Sequence, residues 1–196
     1  LYIGLAIGIV FGIVFWIRRR DAWGVKTCVR VWLAAFAAGC LIMLAGGKLL
    51  LPAAIGFFLI GVGFAGGMYL IPIMNGDVID YDEQRTGLRR EGMYAGINSL
   101  VTKPAISLAQ AAFLWILQAN GYDPLLPKGL QTGQAENGIL LAWMLIPAIL
   151  LTLSWFVMRW YPLAGKQWDE IKRQLAIIHD EKERVALQKL QTKMTD

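Results

Sequence analysis

One lysine in an apolar stretch carries the clearest chemical signal in the sequence. Lys103 falls about 11 residues into an apolar segment, which a helix rise of 1.5 Å per residue converts to a depth of ~16 Å. At that depth in a membrane a lysine costs roughly 2.5–3.5 kcal/mol, so something must compensate its charge. Ser99, Ser107 and Gln110 share its face at helical spacing. The pattern predicts a polar stripe that lines a water-filled cavity, where Lys103 binds a substrate or takes part in ion coupling.

A simpler alternative is that Lys103 only pairs with a buried acid from another helix. None of the 14 acidic residues lies deep in an apolar segment. We therefore expect the counter-charge to come from outside this sequence or from a ligand. Pro104 removes a backbone hydrogen bond at the same level, which predicts a kink.

A second concentration of charge lies in residues 77–92, which hold five acids and three arginines. Their spacing does not fit an EF-hand, and a surface segment lacks the cleft that paired catalytic carboxylates need. A solvated loop is one interpretation. We favour an ion-pair gate that pairs with the basic segment 18–30 in one conformation and releases it in another. The predicted gate residues are Asp77, Asp80, Tyr81, Glu83, Thr86, Gly87, Arg89, Arg90, Glu91 and Gly92, with Arg19 and Arg20.

The composition indicates a membrane protein. Of 196 residues, 57% are hydrophobic and 17% charged, with a mean hydropathy of +0.51. Ordinary soluble domains carry roughly 25% charged residues, and disordered chains lack this much apolar side chain. We predict an all-α membrane protein with spans at residues 1–17, 29–46, 49–74, 92–119 and 138–160, followed by a charged tail at 163–196. Glycines repeated every four residues, at 4, 8 and 12 and at 63 and 67, predict close helix contacts.

The basic residues predict the orientation. Sixteen of the 19 lysines and arginines lie in segments 18–30 and 75–91 or after residue 158, and Lys48 and Lys128 lie in the other connections. The positive-inside rule places segments 18–30 and 75–91 and the C-terminus in the cytoplasm. The first span then enters from outside, so we expect it to be cut from something longer.

Several functional classes are not favoured. His179 and two separated cysteines do not make a zinc site or a disulfide framework, and no nucleophile–base pair lies within the spans. We expect no metal, no cofactor and no enzymatic activity. The net charge of +5 is explained by cytoplasmic loops, so membrane lipid rather than nucleic acid is the expected partner.

The tail carries one narrow apolar stripe at helical spacing. It consists of Trp168, Ile171, Leu175 and Ile178. We expect a solvated helix lying under the protein, with membrane-surface or partner binding as the alternative.

The charged segment also carries a family resemblance. The pattern Asp77-x-x-Asp80-Tyr81-x-Glu83-x-x-Thr86-Gly87-x-Arg89-x-Glu91-Gly92 resembles the cytoplasmic signature of the glycoside–pentoside–hexuronide cation symporters. This is the melibiose-carrier branch of the major facilitator superfamily. Lys103 stands where melibiose carriers place a membrane-embedded lysine, although Pro104 stands where they have glycine. Residues 18–26 and 159–163 are similar to the family's loop between helices eight and nine and to its last exit from the membrane.

The resemblance covers essentially the whole chain, as helices eight to twelve of a twelve-helix carrier. It implies sugar or glycoside uptake across a bacterial inner membrane, coupled to Na⁺ or H⁺, by alternating access of two six-helix bundles. The family's cation site and principal sugar-binding acids lie in the N-terminal bundle, so only Lys103 carries over from the central site. The alternative is a half-carrier that does not transport and acts as a membrane interaction or regulatory subunit.

Overall fold

In the part of the chain that the structure describes, five helices are long and apolar enough to cross a membrane. The structure is a computed structural model that describes residues 2–127 and 129–195, and within those ranges it contains no strand. The predicted all-α membrane fold is therefore confirmed. Leu1, Lys128 and Asp196, which the sequence placed in the first span, in the connection after the fourth span and in the tail, lie outside the described ranges.

Short connections join the first four membrane helices, and a longer connection, residues 120–132, leads to the fifth. The helices are α1 (Tyr2–Trp23), α2 (Val25–Gly46), α3 (Leu50–Thr86), α4 (Glu91–Ala119), α5 (Gly133–Leu140) and α6 (Ile146–Val157), and α7 (Lys166–Thr195) forms the tail. A π-helical turn (Leu141–Leu145) joins α5 to α6, and a 3₁₀ turn (Met158–Trp160) extends α6. These pieces form one membrane helix, Gly133–Trp160, named here the fifth span.

The helices extend beyond the apolar segments that predicted them. Segments 18–30 and 75–91, expected as loops, are largely helical, because α1 continues to Trp23 and α3 to Thr86. Charged side chains end the apolar character of a segment without breaking its backbone hydrogen bonds. The breaks come instead at Gly24 and Gly87, whose φ angles of 75° and 70° favour glycine. The fifth span likewise begins earlier than predicted, after Thr132, which accepts a capping hydrogen bond from the amide of Ala135.

The core forms where α1 and α2 pack against α3. Gly8 and Gly61 bring the backbones of α1 and α3 together, and the indole N–H of Trp16 donates to the carbonyl of Val62 at 2.9 Å. Cys28 and Leu70 are fully buried in the same cluster. A second cluster joins the fifth span to α2 and α3 through residues that include Cys40, Met43, Ala53, Met144 and Ala148.

The fourth helix is largely exposed within the described chain. Of its side chains only Leu117 is buried, whereas Leu100 and Leu108 are 74% and 73% exposed. It meets the fifth span near its C-terminal end, where the rings of Phe113 and Trp143 pack edge to face at 5.8 Å. Most of α4 therefore presents its side chains to lipid or to protein beyond the described residues.

The basic segments 18–30 and 75–91 and the residues that follow the fifth span lie at one end of the helices, named here the charged end. Lys26 donates to the backbone carbonyls of Arg159 and Tyr161 at 3.0 and 2.7 Å, which ties the α1–α2 corner to the end of the fifth span. Lys48 and Glu136 form an ion pair at 3.5 Å between the α2–α3 turn and α5, at the opposite end. The grouping inferred from the basic residues is thus the grouping in the fold.

We expect Gly8→Ala to destabilise the protein. A Cβ at Gly8 would lie 2.3 Å from the backbone carbonyl oxygen of Phe58, and no side-chain rotation relieves such a clash. The expected loss is about 1–3 kcal/mol. Gly4→Ala is the matched control, because its Cβ would lie 3.4 Å from the carbonyl oxygen of Ala54.

A thiol-reactive dye can report the unfolding, since both cysteines are buried and free. A lower melting temperature for Gly8→Ala than for Gly4→Ala is expected. Equal melting temperatures would contradict the proposed backbone contact.

Candidate functional site

The motif in residues 77–92 ends α3 and reverses the chain. The Gly87 amide donates to the carbonyl of Glu83 at 2.8 Å, and the Thr86 hydroxyl donates to the carbonyl of Asp82 at 2.8 Å. The amide of Leu88 in turn donates to the Thr86 hydroxyl at 3.3 Å. Thr86 and Gly87 are therefore a helix stop, and the stop returns the following two arginines toward the last turns of α3. Residues 77–92 are named here the α3–α4 junction.

Both returning arginines pair with acids of α3. Arg90, which immediately precedes α4, donates to both carboxylate oxygens of Asp82, with its Nε 2.8 Å from Oδ2. Arg89 lies 3.1 Å from Asp80 and 2.9 Å from Glu83 and also pairs with Glu91. The hydrogen bonds with Glu91 and Glu83 raise the pKa of Arg89, and the hydrogen bond with Asp82 raises the pKa of Arg90. The junction is thus a connected ion-pair cluster.

Two acids of the cluster are buried and take partners from the tail. Asp77 and Glu83 are each 4% exposed. The ammonium group of Lys172 lies 3.1 Å from Asp77, and Nε2 of His179 lies 2.9 Å from Glu83. The ring of Trp168, four residues before Lys172 on α7, packs against the ring of Tyr81 with their centroids 6.2 Å apart. Helix α7 therefore lies along the end of α3.

Sequence reasoning did not predict these tail partners. In the sequence, His179 stands alone in a charged tail, without another histidine or a cysteine near it. The signal was present, because residues 168, 172, 175 and 179 follow the 4-3-4 spacing of one helix face, and Trp168 and Leu175 on that face are buried. Lys172 and His179 are therefore further candidate site residues.

Arg19 and Arg20 lie at the charged end but have other partners. Arg20 pairs with its neighbour Asp21 at 3.0 Å, and the Arg19 guanidinium lies over the ring of Trp23 at 5.2 Å. Arg20, Asp77 and Lys172 line the same cavity of about 710 Å³ between the α1–α2 corner, α3 and the start of α7. Gly92 lies in the first turn of α4. The structure thus places all the predicted gate residues at one end, with the two arginines of α1 apart from the cluster.

Burial also affects a tyrosine at this end. The hydroxyl oxygen of Tyr161 is buried, and its pKa is raised to about 12 by that burial and by the nearby charge of Asp77. Tyr161 is therefore neutral at physiological pH.

The predicted polar stripe lies on the exposed helix α4. Ser99, Lys103, Ser107 and Gln110 are all exposed. The hydroxyl of Ser107 donates to the backbone carbonyl of Lys103 at 3.3 Å, and Pro104 lies inside the helix. The four side chains are therefore presented on the part of α4 that lies away from its contact with the fifth span.

Comparison with known proteins identifies one family. Residues 1–165 match a family model described as MFS/sugar transport protein. The match includes all five membrane helices and the α3–α4 junction.

Three curated relatives have informative names. An isoprimeverose transporter of Lactiplantibacillus pentosus is 31% identical over 52% of this chain and 20% of its own length. An uncharacterized symporter of Synechocystis is 32% identical over 74% of this chain and 27% of its own. A glucuronide carrier protein homolog of Escherichia coli is 26% identical over 56% and 23%. The chain spans less than half of the length of the curated relatives it matches.

We expect Glu83→Gln to destabilise the charged end more than Glu91→Gln. Both carboxylates pair with Arg89, but Glu83 is 4% exposed and Glu91 59%. Removal of the buried charge leaves Arg89 and His179 without their shared acceptor charge and costs about 1–3 kcal/mol, whereas an exposed change costs under about 0.5 kcal/mol.

Thermal unfolding of the two variants checks this expectation. Glu83→Gln should unfold at the lower temperature. The same melting temperature for both variants would show that the buried pairing does not contribute to stability.

Proposed function

Because the chain belongs to the MFS/sugar transport protein family, we propose that it forms part of a carrier that takes up a sugar or glycoside together with Na⁺ or H⁺. The observation that carries this proposal is the ion-pair cluster of the α3–α4 junction, at the charged end of five membrane helices. The names of the relatives, among them an isoprimeverose transporter, a glucuronide carrier protein homolog and a symporter, support the substrate class and the coupling. The proposed carrier is an integral protein of a bacterial inner membrane.

The proposed mechanism is alternating access. The α3–α4 junction acts as a cytoplasmic gate, because Asp82–Arg90 and Glu83–Arg89 join the end of one membrane helix to the start of the next. Opening at this side requires these pairs to separate or to exchange partners, and Arg20 shares a cavity with Asp77, where it can serve as such a partner. The tail and segments 18–30 and 75–91 are then cytoplasmic, as the positive-inside rule predicts.

The proposed substrate site includes the polar stripe of α4. A lysine at mid-membrane depth is stable only beside water, a counter-charge or a ligand. Lys103 is exposed on α4, whose polar stripe also carries two serines and Gln110. In the complete carrier this face is proposed to line the central cavity opposite a second, N-terminal six-helix bundle, which supplies the acids of the cation site. Lys103 then donates hydrogen bonds to a substrate oxygen or pairs with one of those acids.

Uptake by the complete carrier in membrane vesicles tests the function. We expect a labelled glycoside to accumulate in the presence of a sodium or proton gradient and to stop accumulating when both are collapsed. Collapsing each gradient alone identifies the coupled ion. Failure to accumulate any glycoside under either gradient would contradict the proposal and would leave the half-carrier alternative.

Lys103→Ala tests the proposed substrate site in the same assay. We expect accumulation to fall by about tenfold or more, because the proposed interaction of Lys103 with the substrate or with an acid of the cation site is lost. The amount of protein in the membrane should be unchanged. Lys48→Ala is the matched control, since Lys48 pairs with Glu136 at the opposite end and both side chains are about half exposed. Normal uptake by Lys103→Ala would remove this lysine from the site.

A further inference from the structure

One face of α7 packs against the C-terminal end of α3. Trp168 and Leu175 are 4% and 6% exposed, and on the same face Lys172 and His179 reach acids of α3. The side chains of Arg173 and Glu170, on the opposite face, are 79% and 59% exposed and pair with each other along the helix. The tail is therefore docked by a defined face with both apolar and charged contacts.

The acids that this face contacts, Asp77 and Glu83, are both buried. A buried carboxylate is costly unless it is paired and hydrogen-bonded. One oxygen of Asp77 lies 3.1 Å from the ammonium group of Lys172, and the carboxylate is 4% exposed. The tail thus provides an essential part of the charge compensation at Asp77.

Glu83 connects the tail to the junction directly. Its Oε2 lies 2.9 Å from Arg89 Nη1 and 2.9 Å from His179 Nε2, and the two nitrogens are 3.5 Å apart. The His179 contact is a hydrogen bond when Nε2 carries the hydrogen, which it can do in the neutral ring as well as in the charged one. One carboxylate oxygen therefore serves the tail and the first returning arginine together, so that the position of either affects the other.

We propose that α7 is a latch, formed by Trp168, Lys172, Leu175 and His179, that holds the α3–α4 junction in its paired arrangement. Docking of the latch neutralises Asp77 and orients Glu83 toward Arg89. Release of the latch leaves the two acids exposed to water or to other basic partners, and the helical end of α3 becomes free to fray. If the junction is the gate proposed above, the tail biases that gate toward its paired state. The latch itself does not depend on transport.

Hydrogen–deuterium exchange of the full chain in lipid nanodiscs tests the latch without a substrate. We expect Lys172→Ala with His179→Ala to speed amide exchange about tenfold in peptides from 77–92 and 166–181, since both segments lose their charged contacts. Exchange in α1 and in the first turns of α3 should be unchanged. Arg173→Ala is the matched control, because it removes the adjacent positive charge from the opposite face.

A conservative variant separates the contact from a general effect on folding. His179→Gln keeps a hydrogen-bond donor and should retain most of the protection that His179→Ala loses. Faster exchange in 166–181 together with unchanged exchange in 77–92 would show that the tail docks without ordering the junction, and it would overturn the proposal. Unchanged exchange in both segments, or the same change with Arg173→Ala, would also overturn it.

Discussion

Two carboxylates buried at the end of a long apolar helix impose the arrangement of the charged end. Asp77 and Glu83 follow the membrane-embedded part of α3 without a break in the helix, and each is nine-tenths or more buried. Buried charges of this kind require partners from other segments. Arg89 returns from the helix stop at Gly87, and Lys172 and His179 arrive from the tail. The position of α7 follows from this requirement, and the reversal of the chain at Gly87 brings Arg89 to Glu83.

The rest of the molecule divides into a packed part and an exposed helix. Small residues let α1 and α2 approach α3 closely, with Gly8 against the backbone of Phe58 and Gly63 against the ring of Phe36, and this packing fixes the position of the acids on α3. Helix α4 is held at both ends, by Arg90 at its start and by the Phe113–Trp143 contact near its finish. The exposed length between those ends carries the lysine whose charge motivates the proposed substrate site.

Sequence patterns predicted the membrane helices well and the charged end only in part. Hydropathy located all five spans, because apolar length is what a bilayer selects, but it placed the end of the third span at residue 74, where charged residues begin to follow the apolar ones. Gly87, rather than the acids, ends that helix at Thr86. Pairing between distant segments has no local signal, so the contact of His179 with Glu83, 96 positions apart, could be inferred only from the face it shares with Trp168 and Leu175. Lys103 lies on the exposed part of α4, so the contacts of the described residues do not define its surroundings.

Cross-linking between α3 and α7 tests most directly whether the buried acids bring the tail to the junction. Gln84 and Gln174 line the same groove of about 210 Å³, whereas the neighbouring Arg173 is 79% exposed on the opposite face of α7. With Gln84→Cys and Gln174→Cys, a short bismaleimide should cross-link the two helices in high yield, and the yield should fall when Lys172 and His179 are replaced. The pair Gln84→Cys and Arg173→Cys should cross-link poorly. Equal yields for the two cysteine pairs would contradict the account, because they would mean that α7 is not held on α3 by one face.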